Sequence, residues 1–189
     1  EGCGHPDGDP LAVIDVDLNN AFPSLEWSYI RAAVAEELPA LLPWTSWMHR
    51  EPSTVILPSG QSLLVDRGAE QGDPLGPLLC ALALARVLAR TRAQGDVQFA
   101  DVWFMDDGQI VTRSSSVDPW LRAFDAEAAV AGAARGRGEH AKSVVAVIAP
   151  PGVAAAARPR WATDYVLAAA APPADGPDRH VLGVRVGRG

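Results

Sequence analysis

Lysine is almost missing from this chain: Lys142 stands alone against fifteen arginines. Cysteine is nearly as scarce. Cys3 and Cys80 are the only two, too few for a disulfide framework or a zinc site built on cysteine pairs. Cys80 falls in an apolar helical run and reads as a small core residue, which fits a reducing, intracellular setting. Long hydrophobic runs are absent as well. The longest, residues 75–85, contains Gly76 and Pro77 and stops at Arg86, well short of the roughly 18 residues that cross a bilayer. No membrane partner is therefore expected. No charged leader with an apolar core opens the chain, so no signal peptide is expected. With Glu1 in place of an initiator Met, a piece of a longer protein is the expectation. The four histidines, His5, His49, His140 and His180, show no ligand spacing and are assigned no chemistry.

What is present suits a soluble globular chain. Its 189 residues are enough for one well-buried core, and 48% hydrophobic with 21% charged residues is ordinary composition. A net charge of −7 argues against simple phosphate-backbone binding through clustered cations. The charge is unevenly spread. Residues 15–73 hold nine acids and three arginines, whereas residues 113–160 hold seven basic residues and four acids. That asymmetry is permissive for nucleic-acid chemistry and equally suits an ordinary surface.

Along the chain, residues 11–16 form an apolar run of strand length. Pro23-Ser24 punctuates it, with Ser24 placed to cap a helix. Trp27, Ile30, Val34 and Leu38 follow at helical spacing until Pro39. Residues 54–57 and 62–65, separated by Pro58-Ser59-Gly60-Gln61, read as a hairpin. After a polar loop over residues 67–76, Pro77 opens a helix running to about Arg92, with Leu78, Leu82, Ala85 and Ala89 on one face. Residues 102–105 and 109–112 make a second hairpin. Residues 118–134 form an Ala-rich helix with Asp118 as its cap, 143–148 a strand, and 181–186 a last short strand. Residues 149–177, rich in Ala and Pro, look the least ordered. The order strand, helix, hairpin, helix, hairpin, helix, strand predicts an α+β fold, an antiparallel sheet with helices on one face.

Phe104-Met105-Asp106-Asp107 reads as a strand running into a tight turn with two adjacent carboxylates. Asp107-Gly108 alone is a favoured hairpin turn, so an exposed acidic turn is the plain alternative. The chemistry such carboxylates suit is phosphoryl transfer with two metal ions about 4 Å apart. Magnesium takes hard oxygen ligands and usually only one or two protein carboxylates. Asp17, at the end of the first strand, completes the set if the two strands lie side by side. Asp15, two residues earlier, points to the same face and is either an auxiliary acid or a cost of the fold. Asp73 reads as a helix cap behind Pro74. Trp44 and Trp47 could stack bases; the remaining tryptophans read as packing.

Five segments carry a resemblance. Asp17-Leu18-Asn19-Asn20-Ala21-Phe22 resembles the first palm motif of reverse transcriptases. Gly68-Ala69-Glu70-Gln71-Gly72-Asp73-Pro74-Leu75-Gly76-Pro77 is similar to the second, in its non-LTR retrotransposon form. Phe104-Met105-Asp106-Asp107 looks like the third, Ala141-Lys142-Ser143 resembles the fourth, and Val181-Leu182-Gly183 the fifth. They occur in the family's order and span residues 11–187, with Gln71-Gly72-Asp73-Pro74-Leu75 the most specific string.

The resemblance implies a polymerase palm with a ferredoxin-like core and partial fingers at about 40–70. The palm would occupy 11–148, after a short flank over 1–10. An Ala/Pro-rich connection over 149–180 would lead to a final strand over 181–189 at the palm/thumb junction. It implies an RNA-directed DNA polymerase working on an RNA template, a DNA primer and dNTPs. Two Mg²⁺ ions are implied, with Mn²⁺ as a substitute, and nuclear localisation if the source is a eukaryotic retrotransposon. Asp17 and Asp106 would be the principal metal ligands, Asp107 assisting and Leu18 offering its carbonyl. Phe22 would be the steric gate against a 2′-hydroxyl, the alternative being a plain core Phe. Gln71 and Gly72 would border nucleotide and template, Gly72 through a close backbone approach, and Met105 would contact the primer end or sugar. Lys142 would stabilise or protonate the leaving group; a solvated surface lysine is its alternative.

Two departures stand against the pattern: Glu139 where Asn is usual, and Gly76 where Ser is common. Without basic fingers and a thumb, the fragment alone is expected to be inactive. A decayed or domesticated palm that binds nucleic acid or a partner is the second reading. A nucleotidyl cyclase on a palm-like sheet is the third, though it leaves the 71–77 loop unexplained.

Overall fold

A computed structural model describes residues 9–70, 72–94, 97–136, 143–148, 166–168, 179–181 and 184–186. The chain divides into two compact units. One comprises residues 1–17, 96–121 and 135–189; the other, residues 18–95 and 122–134.

The first unit is built on β1 (Leu11–Asp17), β4 (Phe99–Phe104), β5 (Asp107–Arg113), β6 (Val144–Ile148) and β7 (Val166–Ala168). They form one sheet in the order β4-β5-β1-β6-β7. The first four are antiparallel neighbours, and β7 pairs with β6 in parallel. Between β1 and β4 the chain forms β2 (Ser53–Ile56) and β3 (Ser62–Val65), a separate two-stranded sheet. Setting that hairpin aside, β1, β4, β5 and β6 carry the spatial order of a split βαββαβ unit, the ferredoxin-like arrangement expected. The parallel edge strand β7 was not anticipated. The last stretch forms two strands, β8 (Arg179–Val181) and β9 (Val184–Val186), paired antiparallel where one strand was expected.

Alternation decides the faces of the sheet. On β1, Ala12, Ile14 and Val16 are buried, as are Ile110 and Thr112 of β5 and Val145 of β6. The first turns of α5 (Val117–Ala131) bring Val117, Trp120 and Leu121 into this core. The Trp120 ring meets Phe99 edge-on at 5.8 Å, a favoured geometry for aromatic pairs. The helix begins at Val117, so Asp118 sits in its first turn rather than capping it, where a carboxylate suits the positive end of the helix dipole.

The second unit centres on α2 (Trp27–Glu37) and α4 (Gly76–Ala93), with the short α1 (Ala21–Ser24) and α3 (Leu42–Met48). Ser24 ends α1 and does not cap α2, whose N-cap position is Glu26 with no side-chain cap bond. Tyr29, Ile30, Ala33 and Val34 are the buried residues of α2. On α4 the buried stripe is Leu79, Cys80, Ala83, Leu84, Val87, Leu88 and Thr91. The expected face is displaced: Leu78, Ala85 and Ala89 are exposed. The first three turns of α4 are apolar all round, so periodicity alone selects no face there. Arg86 adds the missing constraint, since it grips both carboxylate oxygens of Glu36 at 2.8 Å and lies 4.8 Å over the Tyr29 ring. Among the described residues no helix is long and apolar enough to cross a membrane.

His49 follows α3 and is buried, its ring stacked flat on Trp27 at 4.8 Å. Burial, helped by the Arg31 charge, holds its pKa below the ordinary 6.5, and Asp73 opposes that only in part. The unfolded chain therefore takes up this proton first, so stability rises with pH across the range below about 6.5 and falls on acidification. Urea midpoints measured between pH 7.5 and 5.5 should decline in the wild type and decline less in His49→Gln. Separately, Trp120→Ala should lower the unfolding free energy by about 3–5 kcal/mol in urea titrations, because it empties the largest fully buried site.

Candidate functional site

The register of β1 against β5 sets Asp17 directly opposite Asp107, one step beyond Val16 opposite Gly108. Residues opposed in this way on one face carry Cβ atoms about 4.5–5.5 Å apart. The hairpin between β4 and β5 closes with Phe104 opposite Asp107, leaving Met105 and Asp106 as its two-residue loop. The turn lies earlier than the Asp107-Gly108 dipeptide suggested, and Gly108 has another task. A Cβ on Gly108 would sit 2.6 Å from atoms of the Trp103 ring, so the indole lies across the position opposite it, where only glycine fits.

Met105 has φ of 55°, a left-handed backbone that costs a side-chain-bearing residue about 1–3 kcal/mol. Met105→Gly should accordingly raise the urea midpoint, by about 1 kcal/mol in unfolding free energy.

Asp17 is held through its backbone. The Ser143 hydroxyl accepts from the Asp17 amide at 3.1 Å and lies 3.4 Å from the Asp17 carbonyl oxygen. The Gly136 amide donates to that same carbonyl at 3.0 Å. Sequence reasoning gave Ser143 no role, because only the sheet brings residue 143 to residue 17. Ser143→Ala should lower stability by about 1 kcal/mol, with Ser143→Thr recovering part of it. One row further along the sheet, Asp15 accepts a 2.7 Å bond from Gln109, its cross-strand neighbour. Asp15 is thereby tied to a partner within the sheet.

The remaining expected residues fall elsewhere. In the second unit, Phe22 lies half-buried in α1, and its carbonyl accepts from the Ala69 amide at 2.8 Å. Gly68 donates to the Leu25 carbonyl at 2.6 Å, so the loop after β3 is laced to α1. Leu18 is buried. Gly72 has φ of +98° and no atom within 4 Å of a would-be Cβ, so glycine is required there by the backbone conformation, not by close packing. Asp73 caps the turn ahead of α4, its Oδ1 accepting from the Leu75 amide at 2.9 Å. Trp47 is exposed, and among the described residues only Trp120 is a fully buried tryptophan. Gln71, Lys142 and the Leu182-Gly183 pair lie outside the described residues.

Asp17, Asp106 and Asp107 are hard oxygen donors from two adjacent strands and the loop joining one of them onward, a donor set of the kind magnesium takes. Among the described residues no three His, Cys, Asp or Glu side chains already converge on a single ion position. The fit is therefore one of donor chemistry and strand register, with further ligands to come from phosphate oxygens and water.

No protein-family model matches the chain, and no curated protein does. Solved structures do. Apo telomerase from Candida tropicalis aligns over 72% of this chain and 28% of its own, at 15% identity and a TM-score of 0.51. Telomerase from Candida albicans, in complex with the TWJ fragment of telomeric RNA, aligns over 79% of this chain and 28% of its own, at 13% identity and a TM-score of 0.53. The fold is that of a reverse-transcriptase-like palm. At these identities the likeness speaks for the fold, and the chain spans just over a quarter of those telomerase chains.

Proposed function

We propose that this chain is the palm, with part of the fingers, of an RNA-directed DNA polymerase of the non-LTR retroelement type, adding dNTPs to the 3′-hydroxyl of a DNA primer on an RNA template. The observation that carries the reading is the placement of Asp17 opposite Asp107, with Asp106 in the intervening two-residue loop of the same hairpin. The palm-like fold of telomerase, including a structure holding a fragment of telomeric RNA, supports nucleic acid as the partner class. The Gln71-Gly72-Asp73-Pro74-Leu75 string supports the non-LTR type.

In this reading Asp17, Asp106 and Asp107, with the Leu18 carbonyl, would hold two magnesium ions. When bound, such ions activate the attacking hydroxyl and neutralise the leaving pyrophosphate. The chain's own residues do the remainder. The Ser143 and Gly136 bonds keep the Asp17 backbone in place. Phe22 lies against the sugar and rejects a 2′-hydroxyl, Gln71 and Gly72 border nucleotide and template, Met105 meets the primer end, and Lys142 gives a proton to the pyrophosphate oxygen.

The test is primer extension on poly-rA/oligo-dT by the longer polymerase containing this chain. Asp106→Asn should reduce incorporation at least a hundredfold, since it removes a metal-holding charge. Unchanged incorporation would eliminate the site. Phe22→Val should raise the ratio of rNTP to dNTP incorporation; an unaltered ratio would remove the gate role.

A further inference from the structure

The second unit contains a cavity of about 300 Å³ that the polymerase chemistry does not use, lined on its aromatic side by Trp27, Trp47 and His49. That volume sits at the small end of ligand sites, room for one side chain rather than a nucleotide. Trp27 and His49 form the flat stack described above, and Trp47 leaves 69% of its surface in solvent.

The polar lining is one-sided. Among the described residues, the only charged ones lining it are Glu70 and Asp73. Several of its donors are already engaged inside the unit. The Trp27 indole N–H bonds the Gly68 carbonyl at 2.9 Å, and the amides of Gly68 and Ala69 bond Leu25 and Phe22. The Asp73 amide bonds the Glu70 carbonyl, and the His49 amide bonds Thr45. Acceptors are left over. Besides the carboxylates there is His49 Nδ1, a buried ring nitrogen with no hydrogen-bond partner, on a residue only 7% exposed. A buried polar atom without a partner is destabilising, a penalty that a bound donor would remove. Arg31 is committed to the His49 carbonyl at 3.2 Å and is not among the residues lining the cavity.

Two acidic residues, a buried ring nitrogen without a partner and an exposed indole face suit a flat cation that only donates. Anionic phosphate is repelled by this lining, and a neutral base would leave the carboxylates unanswered. The guanidinium group carries five N–H donors in a plane, no acceptor and a permanent charge, and it stacks on tryptophan. We propose that this cavity is a recognition site for a guanidinium group, the arginine side chain of a partner polypeptide, stacked on Trp47 and held by Glu70, Asp73 and His49 Nδ1. The site goes beyond polymerase chemistry and stands whether or not that reading holds.

The full chain is titrated with N-acetyl-arginine amide, with an arginine-bearing peptide, and with the neutral isostere N-acetyl-citrulline amide, following tryptophan fluorescence and calorimetric heat. Saturable binding of the two arginine ligands, absent for citrulline, is expected. A tighter peptide than amide identifies a polypeptide as the natural source; equal affinity identifies a free guanidinium compound. Trp47→Ala and Glu70→Gln, both at solvent-facing positions, should each weaken binding roughly 3- to 30-fold with circular dichroism and melting unchanged. Equal response to citrulline, no saturable response at all, or wild-type affinity in both variants overturns the site.

Discussion

Register is the constraint on which the sheet's chemistry rests. Side chains alternate along a strand, so a slip of one residue between β1 and β5 would turn every functional group to the opposite face. The Gln109 side chain opposes such a slip by bonding Asp15, its partner across β1 and β5. The Met105-Asp106 loop and the Trp103 ring over Gly108 fix β5 against β4. β1, in the middle of the sheet, is further tied on its far side by β6 and by the Ser143 hydroxyl. With those in place, Asp17 and Asp107 have no freedom to part company along the sheet. The left-handed conformation of Met105 is the strain that accompanies so short a turn.

The two units divide the expected functional residues between them. Asp17, Met105, Asp106 and Asp107 belong to the sheet; Leu18, Phe22 and Gly72 belong to the helical unit. Within the latter, the bonds from Gly68 and Ala69 to Leu25 and Phe22 give the glycine-bearing loop a fixed relation to α1. Backbone bonds, together with the Trp27 indole on the Gly68 carbonyl, thus hold this loop to the end of α1.

Local rules read much of this from the chain alone. β1, the β2–β3 hairpin, the start of α4 at Pro77 and the carboxylate-bearing hairpin each carry their signal within a few residues. Helix faces were harder: α4 is so uniformly apolar at its start that only Arg86, meeting Glu36 and Tyr29 from another helix, reveals which side is buried. Partners remote in sequence were out of reach for the same reason. The Ser143 bond to Asp17 crosses 126 positions, and no spacing rule links Trp27 to His49. The parallel pairing of β7 with β6 was equally hidden, because a three-residue strand inside an Ala/Pro-rich stretch has too little pattern to register.

The β2–β3 hairpin carries Val55, Ile56, Leu63 and Leu64, all exposed, on a ladder only four residues long. Two strands with no covering layer are marginal in water, so its amide protons should trade with deuterium far sooner than those of β1. The same short ribbon is greasy on both sides, and covering it would take that apolar surface out of water.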